Sequence, residues 1–131
     1  MKSIKAALIF MFLLACNLAL SAAIPALERQ ALIDLYNSTN GDAWTIKTSW
    51  KAEPLHSDGF ALPGTENTWY GVTSDAGNTT VIGISLYYYN PRRFPLSGTI
   101  PASLGNLINL QSLSLSIYRN GEHPIRTRQS E

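Results

Sequence analysis

Cysteine is almost missing from this chain, with a single residue at position 16 in a length of 131. One thiol closes no intramolecular bridge, so a small scaffold stapled by disulfides is excluded. Histidine is nearly as scarce, at positions 56 and 123 only, and no pair of residues has zinc-ligand spacing. No glycine-rich phosphate loop follows a strand-like run, and the turns at Gly41-Asp42 and Asp75-Ala76-Gly77-Asn78 do not approach a calcium-binding loop. An excess of either charge is also lacking. Ten basic and nine acidic residues leave a formal charge of +1, which selects neither nucleic acid nor an acidic partner. The arginines at 92, 93, 119, 126 and 128 fall in two loose clusters that read as a solvated loop and tail. His56, Ser57 and Asp58 are neighbours in sequence, but a triad is recognised by geometry and not by adjacency. These absences predict no catalytic residue, no metal and no cofactor, in a chain long enough for one small domain.

The N-terminus reads as a targeting segment. Met1 to Lys5 is short and basic, and Ala6 to Leu20 is apolar apart from Asn17. Fifteen residues fall short of the roughly 20 that span a bilayer, so no transmembrane span is expected in the mature chain. Ser21-Ala22-Ala23 supplies small residues for a cut before Ile24, which assigns 1–23 to a signal peptide and the product to secretion or the cell surface. Such a cut removes Lys2 and Lys5 and takes the formal charge to −1. Leu13-Leu14-Ala15-Cys16 also resembles a bacterial lipobox, so lipidation of Cys16 and a lipid-anchored envelope location stand as the alternative. Asn37-Ser38-Thr39 and Asn78-Thr79-Thr80 match the N-glycosylation pattern, which matters only in a eukaryotic secretory pathway.

What the chain does contain is a patterned C-terminal half. Leu110, Leu113 and Leu115 have the spacing L-x-x-L-x-L, and Val81, Ile84 and Leu86 repeat it 29 positions earlier. Between them Leu96-Ser97-Gly98-Thr99-Ile100-Pro101-Ala102-Ser103-Leu104-Gly105-Asn106-Leu107 resembles the plant-type leucine-rich repeat. Residues 90–95, with two prolines and two arginines, read as an inserted surface loop. Strand alternation with Ile84 and Leu86 inward turns Ser85 and Tyr87 to the opposite face, joined by Ser112, Ser114 and Ser116 of the second strand. Upstream, Pro25 is suited to begin a helix, with Leu27, Ala31, Leu32 and Leu35 on one side and Glu28, Arg29 and Asp34 on the other. Asn37 to Gly41 ends it, and residues 56–64 read as an exposed loop.

Glu28 to Asn37, Asn40-Gly41-Asp42-Ala43-Trp44, Trp50 and Trp69-Tyr70-Gly71-Val72-Thr73 resemble the cap that precedes plant-type repeats. The two cysteines that flank W-x-G-V in the plant form are replaced by Asn67 and Ser74, which points to a microbial version held by tryptophan packing. The resemblance implies the opening of an α/β solenoid, a helical cap followed by short parallel strands of a repeat stack. The expected parts are a cap at 24–80, one full repeat and the start of a second at 81–118, and a disordered tail at 119–131. With no capping motif after Leu115, the chain reads as a truncated product, marginal in stability and open to self-association through its uncapped repeat end. The implied function is a non-enzymatic module binding a protein or peptide on the concave face formed by Ser85, Tyr87, Ser112, Ser114 and Ser116. A carbohydrate-binding module using exposed aromatics is the alternative.

Overall fold

The computed structural model of the chain describes residues 22–87, 96–118 and 125–130. Helix α1 (Ala26–Ser38) begins directly after Pro25 and makes its first backbone bond from Arg29 N–H to the Pro25 carbonyl. It ends where Thr39 turns its hydroxyl back onto the Leu35 carbonyl at 2.6 Å and Asn40 takes a left-handed φ of 58°. Ala31, Leu32, Ile33, Leu35 and Tyr36 are buried, while Leu27 stays exposed. Glu28 and Arg29, expected on the solvated side, are buried too.

Aromatic side chains fill the space beneath α1. The Tyr36 ring lies 4.9 Å from Trp44 and 5.3 Å from Trp50, and Trp50 lies 4.8 Å from Trp69. Each indole N–H has an acceptor, in the Thr39 carbonyl, the Tyr70 carbonyl and the Thr65 hydroxyl respectively. That satisfies the polar edge of each ring and lets three tryptophans be buried together. The segment 56–64 is not simply exposed. Phe60 and Ala61 are buried against this cluster, and Ala61 bridges to Leu55.

The sheet overturns the expected solenoid. Five strands, β1 (Val72–Ser74), β2 (Val81–Leu86), β3 (Leu96–Ser97), β4 (Ser112–Tyr118) and β5 (Ile125–Ser130), form one small mixed sheet. β1 runs antiparallel to β2 and β5 antiparallel to β4, while β2 and the short β3 pair parallel with β4. Connection length supplies the reason. Six residues separate β1 from β2, and six separate β4 from β5. So short a link reverses the chain, because a parallel return needs a crossover of about a dozen residues or more. The stretch between β2 and β4 is long enough to cross over. β5 takes the edge of β4 where another parallel strand would have to add, so no stack of parallel strands continues from it. The tail expected to be disordered thus contributes residues 125–130 to the sheet.

Parts of the sequence pattern still govern the packing. Ile84 sits beside Leu113 and Leu86 beside Leu115, all four pointing into the core. The register skips Ile82, since Thr73 faces Gly83 and Ser74 faces Val81. This bulge lets Val81 face inward as well as Ile84, the physical content of the L-x-x-L spacing. Two glycines of the motifs are required by close approach. Gly71 holds φ +84° with its α-carbon against the Ser85 carbonyl, and Gly98 holds φ +111° against the Ser38 carbonyl at the end of α1. A Cβ at either would strike backbone. The residues 102–106 form a short 3-10 helix packed on α1, tied by Ser103 Oγ–H to Asp34 at 2.7 Å. One hydrophobic cluster runs from Ile24 through the aromatics to Leu115.

Candidate functional site

The outer face of the sheet is built by alternation. With Ile84, Leu86, Leu113 and Leu115 inward, the residues between them face away from the core. The register sets Ser85 beside Ser114 and Ser112 beside Gly83, with Thr73 of β1 across from Gly83. Gly83 matters here, because a Cβ at that position would come to 3.0 Å of Ser112 Oγ and 3.4 Å of Thr73 Cβ. Its bare α-carbon lets the hydroxyl-bearing neighbours close over it. Thr73, Ser85 and Ser112 are exposed, Ser114 and Tyr87 are half-buried, and Ser116 is buried with 8% exposure. The structure therefore brings Ser85, Ser112 and Ser114 together on one accessible face. It withdraws Ser116 from it and engages Tyr87 with neighbouring groups. On β1, β2 and β4 this face carries hydroxyls and no ionisable group that titrates near neutrality. It can donate and accept hydrogen bonds, and it offers no general acid, base or metal ligand.

Charge concentrates elsewhere, under α1. Arg29 Nε donates to Asp58 Oδ2 at 2.9 Å, Nη2 to Asp58 Oδ1 at 3.0 Å, and Nη1 to Glu66 Oε1 at 2.5 Å. Nη2 also donates to the Ala61 carbonyl at 2.7 Å, and the guanidinium stands 5.1 Å from the centre of the Trp69 ring. Burial works to raise the Asp58 carboxyl, but the hydrogen bonds and charge of Arg29, with the Phe60 amide, outweigh it and hold the group at about 2. Burial likewise works to lower the Arg29 guanidinium, and its two carboxylate partners raise it instead. His56 Nδ1 is 3.2 Å from Asp58 Oδ2, yet that carboxylate is already bound by Arg29. The cluster is a clamp that fastens the loop at 58–66 to α1. Sequence reading missed it because Arg29 has the helical position of a solvated residue. A bidentate partner 29 positions away leaves no local signal.

Near the C-terminal end of α1, Lys51 bonds Asp42 at 2.8 Å, and Asp42 accepts the Tyr36 hydroxyl at 2.8 Å. Burial and the Asp42 carboxylate both push the Tyr36 phenol above its ordinary value. These residues border a surface hollow of about 370 Å³ with Lys47, Ser49 and Ala52. Two lysines and one carboxylate on an exposed rim leave it without a built ligand site. Among the described residues no group of three histidine, cysteine, aspartate or glutamate side chains is placed to hold a metal ion. No helix among them is long and apolar enough to cross a membrane. Trp44, Trp50 and Trp69 are at most 3% exposed, so they form no open stacking surface. Cys16 and residues 90–95, which the sequence pattern reads as an inserted surface loop, lie outside the described residues. Compared with protein-family models, curated proteins and solved structures, the chain matches none.

Proposed function

We propose that this chain is an exported, non-enzymatic module that binds a protein or peptide through the outer face of its mixed sheet. The observation that carries the reading is the register of β2 on β4, which gathers Ser85, Ser112 and Ser114 beside Thr73 on one accessible surface. Small hydroxyl side chains there adapt their hydrogen bonds to a partner at little entropic cost, as serines do in antibody-type binding surfaces. Tyr87 at the end of β2 adds area at the rim. The basic and then apolar N-terminus supports export. The sequence likeness to plant-type repeat caps supports a recognition role, here on a sheet closed by antiparallel strands. Burial of the three tryptophans weighs against the sugar-stacking alternative.

The test uses the full chain exported from a secreting host and immobilised as bait for surface proteins, with Ser85→Arg/Ser114→Arg as the control variant. Both positions are at least partly open, so the variant should melt within about 0.5 kcal/mol of the parent. Saturable binding by the parent that drops tenfold or more in the variant is the expected outcome. Binding that is saturable and indifferent to the two arginines would remove the sheet face from the reading.

A further inference from the structure

Asn40 and Gly41 form the turn between α1 and Trp44, and the pair carries a chemistry that the sheet face does not use. Asn40 is exposed and holds the left-handed angles φ 58° and ψ 52°, a region that asparagine tolerates better than most side chains. Its amide donates to the Asn37 carbonyl at 3.4 Å, and its carbonyl accepts from the Ala43 amide at 2.9 Å. Gly41 is buried, and a Cβ there would run into the Tyr36 ring. Its carbonyl accepts from the Trp44 amide at 3.0 Å, while the Trp44 indole donates to the Thr39 carbonyl at 3.1 Å. The peptide joining Asn40 to Gly41 is thus pinned on both sides and packed against an aromatic face.

We propose that Asn40 is a self-modification site, held shut by the seat of Gly41 on Tyr36 and one-way once that seat opens. In the reaction the Gly41 backbone nitrogen attacks Asn40 Cγ. The Cγ–Nδ2 bond breaks, Nδ2 departs as ammonia with the proton lost by Gly41, and a five-membered succinimide forms. Water then opens the ring. Addition at Cγ leaves aspartate, and addition at the Asn40 backbone carbonyl carbon leaves isoaspartate, whose chain runs on through Cγ. Only water is consumed, and nothing is oxidised or reduced. A glycine after the asparagine favours closure, because no side chain crowds the attacking nitrogen. Closure needs that nitrogen eclipsed with Asn40 Cβ about the Cα–C bond, and ψ of 52° keeps the two well apart. The backbone bonds of Asn40 and Gly41 and the Tyr36 ring oppose the rotation, so the reaction waits for this turn to open. Isoaspartate adds one carbon to the backbone beside a glycine that has no room for a Cβ. Gly41 then leaves Tyr36, and the bond that fixes the Trp44 amide is lost. The inference stands apart from the binding reading above.

The experiment incubates the full chain in mildly alkaline buffer, folded or in concentrated urea, and follows Asn40 by peptide mapping. Mapping separates it from the second Asn-Gly pair at 120–121. Conversion at Asn40 should run at least about tenfold slower in the folded chain. Equal rates in buffer and urea would overturn the gate. After incubation in urea and return to buffer, the isoaspartate fraction of the wild type should fail to regain blue-shifted tryptophan emission. Asn40→Gly permits the same φ and removes the reacting amide, so it should regain that emission fully. An Asn40→Gly chain that loses emission as the wild type does, or an isoaspartate form that melts with the parent, would overturn the one-way step.

Discussion

The two halves of this molecule solve burial differently. In residues 24–70 the interior is made of large rings and paired charges. Trp50 is completely buried between Tyr36, Trp44 and Trp69, and Arg29 joins α1 to Asp58 and Glu66. From residue 72 onward the interior is a thin layer of aliphatic side chains under paired backbone, with Ile84, Leu86, Leu113 and Leu115 in register. The first half gains rigidity from side-chain geometry that admits few substitutes. The second gains it from strand pairing, which constrains the inward positions and leaves the outward ones free. The face proposed for binding lies on the second half, whose outward residues can vary without loss of the fold.

If the aromatic half is the stronger anchor, Trp50→Ala should give the largest loss, about 4 kcal/mol in equilibrium denaturation. That is a large fraction of the stability of a small domain. Arg29→Met removes the cation and leaves Glu66 buried without a counter-charge, for an expected loss of about 3 kcal/mol. Adding Glu66→Leu to it should recover part of that loss, where a simple sum of independent effects would deepen it. On the strand half, Leu115→Ala should cost about 2–3 kcal/mol. Because one hydrophobic cluster joins both halves, its circular-dichroism transition should coincide with that of tryptophan fluorescence. Two separated transitions would show the halves to be independent units.

The smallest effect is acidic. The folded Asp58 carboxyl titrates at about 2, below its ordinary 3.8. Its ionised form is therefore bound more tightly in the fold than in the unfolded chain, and its contribution is complete above about pH 4. As pH falls from 4 toward 2 that contribution is lost, by about 1 kcal/mol once solvent exposure of the pair is allowed for. Asp58→Asn should flatten this limb of the stability profile and leave the rest of it unchanged.

The same contrast explains what the sequence could reveal. The helix after Pro25 and the inward set Ile84, Leu86, Leu113 and Leu115 were legible because each follows a local rule of period or cap. The burial of the tryptophans followed from their mass and their place in the cap-like motif. Hidden were the features made by contacts distant in sequence. Arg29 and Glu28 look solvated on a helical wheel, yet Glu28 accepts the Val81 amide at 2.7 Å, 53 positions away. The strand β5, with the sequence Ile-Arg-Thr-Arg-Gln-Ser, has no apolar alternation to announce it. It is defined by the edge it pairs with, and repeat periodicity drew attention to a parallel continuation instead. On the sheet face, Ser85, Ser112 and Ser114 were readable from alternation. The cover over Ser116 was not, because it depends on what lies beyond the strand.

The central claim is that the edge of β4 is closed by an antiparallel β5 on a core shared with the aromatic half. Native-state hydrogen exchange on the full chain, resolved by residue, tests it most directly. The structure predicts that amides along β4 and their partners in β5 exchange slowly, and that β4 opens with the same free energy as α1. Rapid exchange throughout 125–130, with β4 opening well before α1, would contradict it and show the sheet to end at an open edge.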